Sequence, residues 1–351
     1  MKSVKVSAER SYEVLIDASW NVELVKALSG RTRAAIIVSE AMRDRVGDID
    51  GGDTEIFIFA IPDGEAGKST STLLQVWNWL GAAGFTRNDI VVAIGGGATT
   101  DFGGYVAASW LRGIDWVTIP TTVAAMVDAA IGGKTGINSD YGKNLIGAFH
   151  SPTAVIIDFT WLTTLSDRDF AAGLAEVVKA GFIADGVILD LLRGKDLAAL
   201  RQDGRTIEEI FTRAISVKAE VVTSDFKESF AREALNYGHT LGHAIELESK
   251  FSLRHGECVA IGMAFMAQLQ LSLDLISQEL AQDHLDILKT LGLPIQYKRQ
   301  AWPALLANMS LDKKARGKTL RFVTITSIGQ TNRLENPDEK ILFAAYEKVS
   351  S

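Results

Sequence analysis

The run Ile90-Val91-Val92-Ala93-Ile94-Gly95-Gly96-Gly97-Ala98-Thr99-Thr100-Asp101 decides the fold. An apolar stretch without alternation fits a strand buried on both faces, as in a parallel sheet. Three glycines follow, and then a helix-length stretch opened by Thr and Asp. Glycines let backbone N–H groups approach a pyrophosphate, and a helix N-terminus adds partial positive charge. The spacing is neither G-x-G-x-x-G nor G-x-x-x-x-G-K-[ST], so the simplest dinucleotide fingerprint is missing and a Walker-type NTPase is excluded. A bare glycine triplet is explained equally well by a tight strand–helix connection with no ligand.

Outward from this turn, β-branched runs recur at 12–17, 34–38, 55–59, 116–119 and 154–158, with helix-length stretches at 69–80 and 100–111. Strands alternating with helices predict βαβ units and a mostly parallel sheet. Beyond residue 158 the period lengthens. Segments 167–184, 206–222, 231–250 and 258–273 carry apolar residues at helical spacing, and 319–326 reads as a strand. The expected architecture is therefore an N-terminal Rossmann-like α/β domain over 1–160 and a mostly α-helical domain over 161–351.

The chain has 351 residues, 47% hydrophobic and 23% charged, which is globular composition and excludes a disordered or collagen-like chain. Net charge is −7, so a nucleic-acid partner held by bulk positive charge is not expected, and an anionic substrate needs a local cluster of cations. Cys258 is the single cysteine, so no internal disulfide forms, which fits a reducing, cytoplasmic setting. The opening Met1-Lys2-Ser3-Val4-Lys5 lacks a signal-peptide pattern, and no stretch is apolar enough for a membrane span.

Three of the five histidines, His239, His243 and His255, cluster late in the chain. Asn236-Tyr237-Gly238-His239-Thr240-Leu241-Gly242-His243 reads as helix, with both imidazoles on one face. Converging neutral imidazoles suit a divalent metal, most often zinc; histidines hydrogen-bonded in a core are the plain alternative. Thr240 follows His239 where a zincin has Glu, so a metalloprotease is not indicated. His255 precedes an apolar helix, and Cys258 reads as a small core thiol. Glu176, in the apolar run Gly173-Leu174-Ala175-Glu176-Val177-Val178-Lys179, is the candidate carboxylate ligand, with an internal pair to Lys179 as the competing explanation.

Cations and polar residues punctuate the glycine-rich stretch 123–147: Asp128, Lys134, Lys143 and Asn144. A loop this long in a compact domain is usually functional. Arg112, Lys218, Arg232, Lys313 and Lys314 adjoin apolar or helical sequence, and each taken alone reads as surface charge. Asp63-Gly64-Glu65-Ala66-Gly67-Lys68 follows another strand, where Glu65 and Lys68 are placed to reach a ribose or phosphate; as an isolated loop it reads as a solvated turn.

Read in order, these segments resemble the 3-dehydroquinate synthase family of sugar-phosphate cyclases from Asp63 to about Gly329. The strongest parts are Gly95-Gly96-Gly97 with Asp101, Pro120-Thr121-Thr122 with Asp128 and Gly133-Lys134, and Gly142-Lys143-Asn144. Ala175 to Lys179, Asn236 to His243, His255-Gly256-Glu257 and Asp312-Lys313-Lys314 complete the match. The resemblance implies a homodimer binding NAD and zinc or cobalt, with a site between two domains. It implies Glu176, His239 and His255 as metal ligands, which sets aside the pairing of His243 with His239 that spacing alone suggests. NAD contacts are implied at Glu40, Asp63, Gly64, Glu65, Ala66, Gly67, Lys68, Gly95, Gly96, Gly97, Ala98, Thr99, Thr100 and Asp101. Thr121, Thr122, Lys134, Lys143 and the turn Trp161-Leu162-Thr163-Thr164 extend that set. Around a substrate bearing phosphate and carboxylate, the family places Arg112, Asp128, Lys134, Asn144, Lys179, Lys218, Arg232, Asn236, His243 and one of Lys313 or Lys314.

The implied reaction turns 3-deoxy-D-arabino-heptulosonate 7-phosphate into 3-dehydroquinate and phosphate. Transient oxidation by NAD acidifies a neighbouring C–H, phosphate leaves by β-elimination, the hydride returns, and ring opening and aldol closure follow. Lys218 and Arg232 suit a substrate carboxylate that neutral sugar phosphates lack. The competing readings are a cyclase for another sugar phosphate, a polyol dehydrogenase that releases NADH, and a ligand sensor without turnover. One departure is Asp17, which follows the early strand where the family usually has glycine.

Overall fold

The computed structural model describes residues 1–226, 231–315 and 319–351; the side chains of 231 and 311–315 lie outside that description. The chain divides into two compact units, one of Met1–Leu165 with Lys218–Lys227, the other of Ser166–Val217 with Glu228–Ser351.

The first unit runs β1 (Lys2–Ser7), β2 (Ser11–Ile16), α1 (Trp20–Leu28), β3 (Arg33–Ser39), α2 (Glu40–Val46), β4 (Glu55–Ile61), α3 (Thr70–Ala82) and β5 (Ile90–Gly95). It continues through α4 (Gly97–Ser109), β6 (Asp115–Pro120), β7 (Lys134–Ser139), β8 (Gly142–Phe149) and β9 (Ala154–Ile157). Seven strands form one sheet in the order β1-β2-β9-β6-β5-β3-β4, parallel except for the β1–β2 edge pair. β5 lies in its interior between β6 and β3, with Val92 between Ile36 and Val117, and every residue of it is buried. Full burial on both faces explains why its sequence is an unbroken apolar run. Small residues bring α4 down onto the sheet: a Cβ on Gly103 would lie 2.6 Å from the Ala93 Cβ, and one on Gly104 2.8 Å from Trp116 Cη2 on β6.

The sheet order reverses direction between β3 and β5, since β4 lies outside β3 while β5 and β6 lie on its other side. Open α/β sheets bind ligands beyond the carboxyl ends of the strands at such a switch point. Glu40 follows β3, the Asp63–Lys68 turn follows β4, and Gly96–Asp101 follows β5. Three segments separated in sequence thus issue from one sheet edge.

The glycine-rich stretch 123–147 is not the irregular loop its composition suggests. A single wide turn, Ala125–Ala129, leads to the antiparallel hairpin β7–β8. Its glycines serve strand pairing, because a Cβ on Gly147 would meet the Thr135 carbonyl oxygen at 2.3 Å and one on Gly136 the Ile146 carbonyl at 2.8 Å.

The second unit holds α5 (Asp167–Ile183), α6 (Gly186–Leu192), α7 (Leu197–Gln202) and most of α8 (Gly204–Ser224), whose end from Lys218 groups with the first unit. Then come α9 (His239–Glu248), α10 (His255–Ser272), α11 (Gln278–Thr290), α12 (Trp302–Ala315), the hairpin β10 (Arg321–Ser327) with β11 (Gln330–Glu335), and α13 (Glu339–Glu347). The helix expected over 231–250 is broken: a 3-10 turn spans Ala231–Asn236, and α9 starts only after Gly238 at φ 76°. Gly238 is needed there, since a Cβ would meet the Met263 nitrogen at 2.9 Å in a left-handed conformation that side chains disfavour.

Candidate metal centre and nucleotide-binding edge

α5 is buried without interruption from Phe170 to Ile183, so Glu176 and Lys179 are charges placed in a core. Two helix starts meet it. His239 is the first residue of α9 and His255 the first of α10, so the positive ends of both helix dipoles face the Glu176 carboxylate. Close backbone approach makes this possible: a Cβ on Gly256 would lie 1.7 Å from the Ala172 carbonyl oxygen of α5, and one on Gly262 1.9 Å from the Gly238 carbonyl oxygen. Arg168 on α5 clamps Glu257 on α10 through two bonds of 2.6 and 2.7 Å, and Glu257 also accepts from the Arg254 amide (2.8 Å).

Both histidines present Nε2 to one carboxylate oxygen. Glu176 Oε1 lies 3.5 Å from His239 Nε2 and 3.3 Å from His255 Nε2. Tetrahedral ligation with bonds of about 2.0–2.1 Å separates ligand atoms by about 3.3–3.4 Å, so these spacings fit a zinc-sized ion. The other ring nitrogens are committed elsewhere: His239 Nδ1 donates to the Tyr237 carbonyl (3.1 Å), and His255 Nδ1 to Glu246 Oε1 (3.0 Å). Among the described residues, neither buried Glu176 oxygen has a hydrogen-bond donor aligned on it, although the Lys179 ammonium contacts Oε2. A buried carboxylate so placed, with two Nε2 lone pairs beside it, is the donor set of a divalent cation site. Burial works against the Glu176 anion, but Lys179, His239 and His255 hold its pKa well below the ordinary carboxylate range. Burial and the nearby Lys179 charge push His239 down, favouring the neutral imidazole a metal requires.

His243 lies one turn along α9, exposed, its ring centroid 5.3 Å from His239 and 6.1 Å from His255. Ligand atoms of His243, Glu246 and His255 also come within 4.8 Å of one another, but the Nδ1 of His255 is already engaged by Glu246. Glu246 escaped the sequence reading. The signal was available: His239, His243 and Glu246 stand at i, i+4 and i+7 on one helical face.

At the carboxyl edge of the first unit, Lys68 is 1% exposed and donates to Asp101 Oδ2 (2.7 Å) and Asn144 Oδ1 (2.5 Å). It organises the edge from beneath instead of extending outward. Burial pushes the Asp101 pKa up, and Lys68 opposes this. Glu65 accepts from Asn138 (2.7 Å) and lies 3.7 Å from Lys143, so the Gly64–Gly67 turn is joined to the β7–β8 hairpin. Ala41 N donates to Asp63 (3.1 Å) beside the exposed Glu40. Gly95 N–Cα geometry leaves no room for a side chain, as a Cβ would meet Thr99 at 2.7 Å; Gly96 and Gly97 would press on Thr122 and Ala129 at 3.2 Å. Thr121 N bonds the Gly95 carbonyl (2.9 Å), holding the turn against the end of β6. Ala98, Thr99 and Thr100 form the first turn of α4, and Trp161 to Thr164 form a 3-10 turn after β9.

The residues assigned to substrate fall in both units. Arg112 (φ 68°), Asp128, Lys134, Asn144 and Lys218 belong to the first, where Lys218 pairs with Asp128. Lys179, Arg232, Asn236 and His243 belong to the second, with Arg232 2% exposed. Lys313 and Lys314 sit in α12, and their side chains lie outside the described residues.

A parallel α/β unit followed by a helical unit with a Glu–His–His cluster defines a class of metal-dependent, nucleotide-binding enzymes. Residues 58–172 match the 3-dehydroquinate synthase N-terminal model and 173–315 the C-terminal model. The chain belongs to the 3-dehydroquinate synthase family. It is 51% identical to the 3-dehydroquinate synthase of Thermobifida fusca over 84% of this chain and 80% of that one. It is 45% identical to that of Corynebacterium diphtheriae over 100% and 99% of the two chains. Among solved structures, 2-epi-5-epi-valiolone synthase from Streptomyces hygroscopicus, with NAD+ and Zn2+ bound, superposes with TM-score 0.88 at 27% identity, covering 99% of this chain and 98% of that one. A 2-deoxy-scyllo-inosose synthase complexed with carbaglucose-6-phosphate, NAD+ and Co2+ gives TM-score 0.88 at 22% identity over 99% and 100% of the chains, a likeness of fold.

Proposed function

We infer that this chain is an NAD- and metal-dependent lyase that converts 3-deoxy-D-arabino-heptulosonate 7-phosphate to 3-dehydroquinate and phosphate in the shikimate pathway. The observation that carries the reading is the convergence of His239 Nε2 and His255 Nε2 on Glu176 Oε1, in a chain of this family. The chemistry the bound groups supply is polarisation of a hydroxyl and then a carbonyl oxygen by the metal, and reversible hydride acceptance by NAD.

The protein's own residues do the rest. Glu176, His239 and His255 hold the metal, and Glu246 keeps His255 in the tautomer that offers Nε2. The edge formed by Glu40, Asp63–Lys68, Gly95–Asp101, Thr121, Thr122, Lys143 and Trp161–Thr164 binds NAD, with the N-terminus of α4 favouring its pyrophosphate. Arg112, Lys134, Asn144, Lys179, Lys218, Arg232, Asn236, His243 and one of Lys313 or Lys314 surround the substrate. Cations among them stabilise the charge on the departing phosphate. Asp128 holds the Lys218 ammonium in place. His243, exposed beside the ligands, is suited to move a proton at the reacting carbons.

The working form is a homodimer in the cytoplasm; the single cysteine supports a reducing setting, and no helix among the described residues is long and apolar enough to cross a membrane. Product identity tests the reading. Incubation with the heptulosonate phosphate should give the dehydroquinate carbocycle by NMR, and sugar phosphates without a carboxylate should not turn over. Cyclisation of the latter in preference would assign the chain a different cyclase substrate.

A further inference from the structure

Behind His239 runs a buried hydrogen-bond chain that the ligand set does not include. Ile325 N donates to Gln270 Oε1 (2.6 Å), and Gln270 Nε2 donates to the Tyr237 hydroxyl (3.1 Å). That hydroxyl lies 2.9 Å from His284 Nε2, and His284 Nδ1 lies 2.7 Å from the Leu280 carbonyl oxygen. The directions are forced from the ends. The Leu280 carbonyl only accepts, so Nδ1 carries the proton, and a neutral His284 offers Nε2 as acceptor to the Tyr237 hydroxyl. The hydroxyl oxygen in turn accepts from the Gln270 amide, leaving Oε1 for the backbone of β10.

Tyr237, Gln270 and His284 are each 0% exposed, and each has its polar atoms matched. Phe182, on the same helix as Glu176, stacks on the His284 ring at 3.5 Å and 6°. Tyr237 is also the residue whose carbonyl accepts from His239 Nδ1, across the left-handed Gly238. One residue therefore joins the buried chain through its side chain and the candidate ligand through its backbone. Its neighbours reach α5, α10 and α11, so the chain ties the helix carrying Glu176 and the helix begun by His255 to the turn that presents His239.

We propose that Tyr237, locked by Gln270 and His284, is a positioning residue for the metal ligand His239: it fixes the carbonyl that selects the Nδ1–H tautomer and so aims Nε2 at the metal. This rests on the reading of Glu176, His239 and His255 as ligands. A satisfied polar network in a low-dielectric core holds a unique arrangement, whereas removing one member leaves partners unmatched and the turn free to shift.

The test is zinc binding to metal-stripped protein, measured by competition with a chromophoric chelator and read beside thermal unfolding. Tyr237→Phe and His284→Phe should bind zinc about tenfold more weakly, the scale typical of groups that orient a ligand. His284→Gln should bind as the natural protein does, because its amide oxygen can accept from the Tyr237 hydroxyl. Leu288→Ala, a buried change on α11 outside the chain, should lower the melting temperature and leave zinc affinity unchanged. Zinc affinity of Tyr237→Phe and His284→Phe equal to the natural protein, with stability lost as in Leu288→Ala, would overturn the positioning role. Natural protein that binds zinc no better than His239→Ala would instead overturn the ligand reading beneath it.

Discussion

His255 Nδ1 lies 3.0 Å from Glu246 Oε1 while His255 Nε2 lies 3.3 Å from Glu176 Oε1, so one imidazole is gripped by two carboxylates from opposite sides. Burial alone would lower the His255 pKa; the close Glu176 carboxylate and the hydrogen bond to Glu246 raise it in the metal-free protein. A divalent ion competes with that proton for Nε2, and Glu246 retains the proton on Nδ1. Glu246→Gln keeps the shape and weakens the acceptor. Metal affinity should fall by about ten- to a hundredfold, with NAD binding unaffected, measured by chelator competition. Unchanged affinity would show that Glu246 does not orient His255 toward the metal.

Removing a ligand is more severe than removing its support. Glu176→Gln and His255→Ala should each lose metal and turnover together. Metal content by elemental analysis, beside phosphate release, checks this, and full activity in a metal-free variant would contradict it.

The helix contact that brings His255 to Glu176 has no space for a methyl group. A Cβ on Gly256 would stand 1.7 Å from the Ala172 carbonyl oxygen, so Gly256→Ala must push α10 from α5. Overpacking of this kind costs about 1–3 kcal/mol, and here it also spreads the ligands. Chemical denaturation should show the loss, and metal affinity should fall with it.

Lys68 and Asp101 form a pair at the nucleotide-binding edge, 2.7 Å apart. Lys68→Met should cost roughly 1.5–3 kcal/mol, the scale of a hydrogen bond to a charged group. It should also weaken NAD binding. Adding Asp101→Asn to Lys68→Met should recover part of the stability, because no carboxylate is then left without its cation. Strict additivity of the two changes in a double-mutant cycle would contradict the coupling.

His284 makes stability depend on acidity. Burial depresses its pKa from 6.5 to about 4, so its contribution is present above pH 6.5 and is lost as pH falls toward 4. The unfolded chain binds the proton first, and over that window the loss reaches about 3 kcal/mol. Denaturation curves at pH 7, 6 and 5 should converge between the natural protein and His284→Gln as pH falls. Parallel curves would show that His284 does not titrate on unfolding.

Much of the first unit is legible because burial on both faces leaves its mark: Ile90 to Ile94 could hardly be anything but a central strand. The parallel order of the sheet follows from the helices between its strands. The β7–β8 hairpin escapes because glycines at 136 and 147 replace the β-branched residues that mark a strand; they are there for close pairing. The break at Gly238 escapes for a related reason, since a helical period continues through the sequence while the backbone turns left-handed at φ 76°. In the metal cluster, Glu176 stands out as a lone charge in an apolar helix, whereas the pairing of His239 with His255 is hidden from spacing arguments by His243, one helical turn from His239. Tyr237, Gln270 and His284 leave no local signal, because what joins them is contact between segments far apart in the chain.

In the proposed reaction, oxidation and re-reduction are both internal to one turnover. The most direct test follows phosphate release from 3-deoxy-D-arabino-heptulosonate 7-phosphate by protein supplied with NAD and zinc or cobalt, while NADH absorbance is recorded. Phosphate should be released stoichiometrically with no net NADH, and the release should be abolished by a chelator and restored by metal. NADH accumulating in step with substrate consumed would contradict it and make the protein a dehydrogenase.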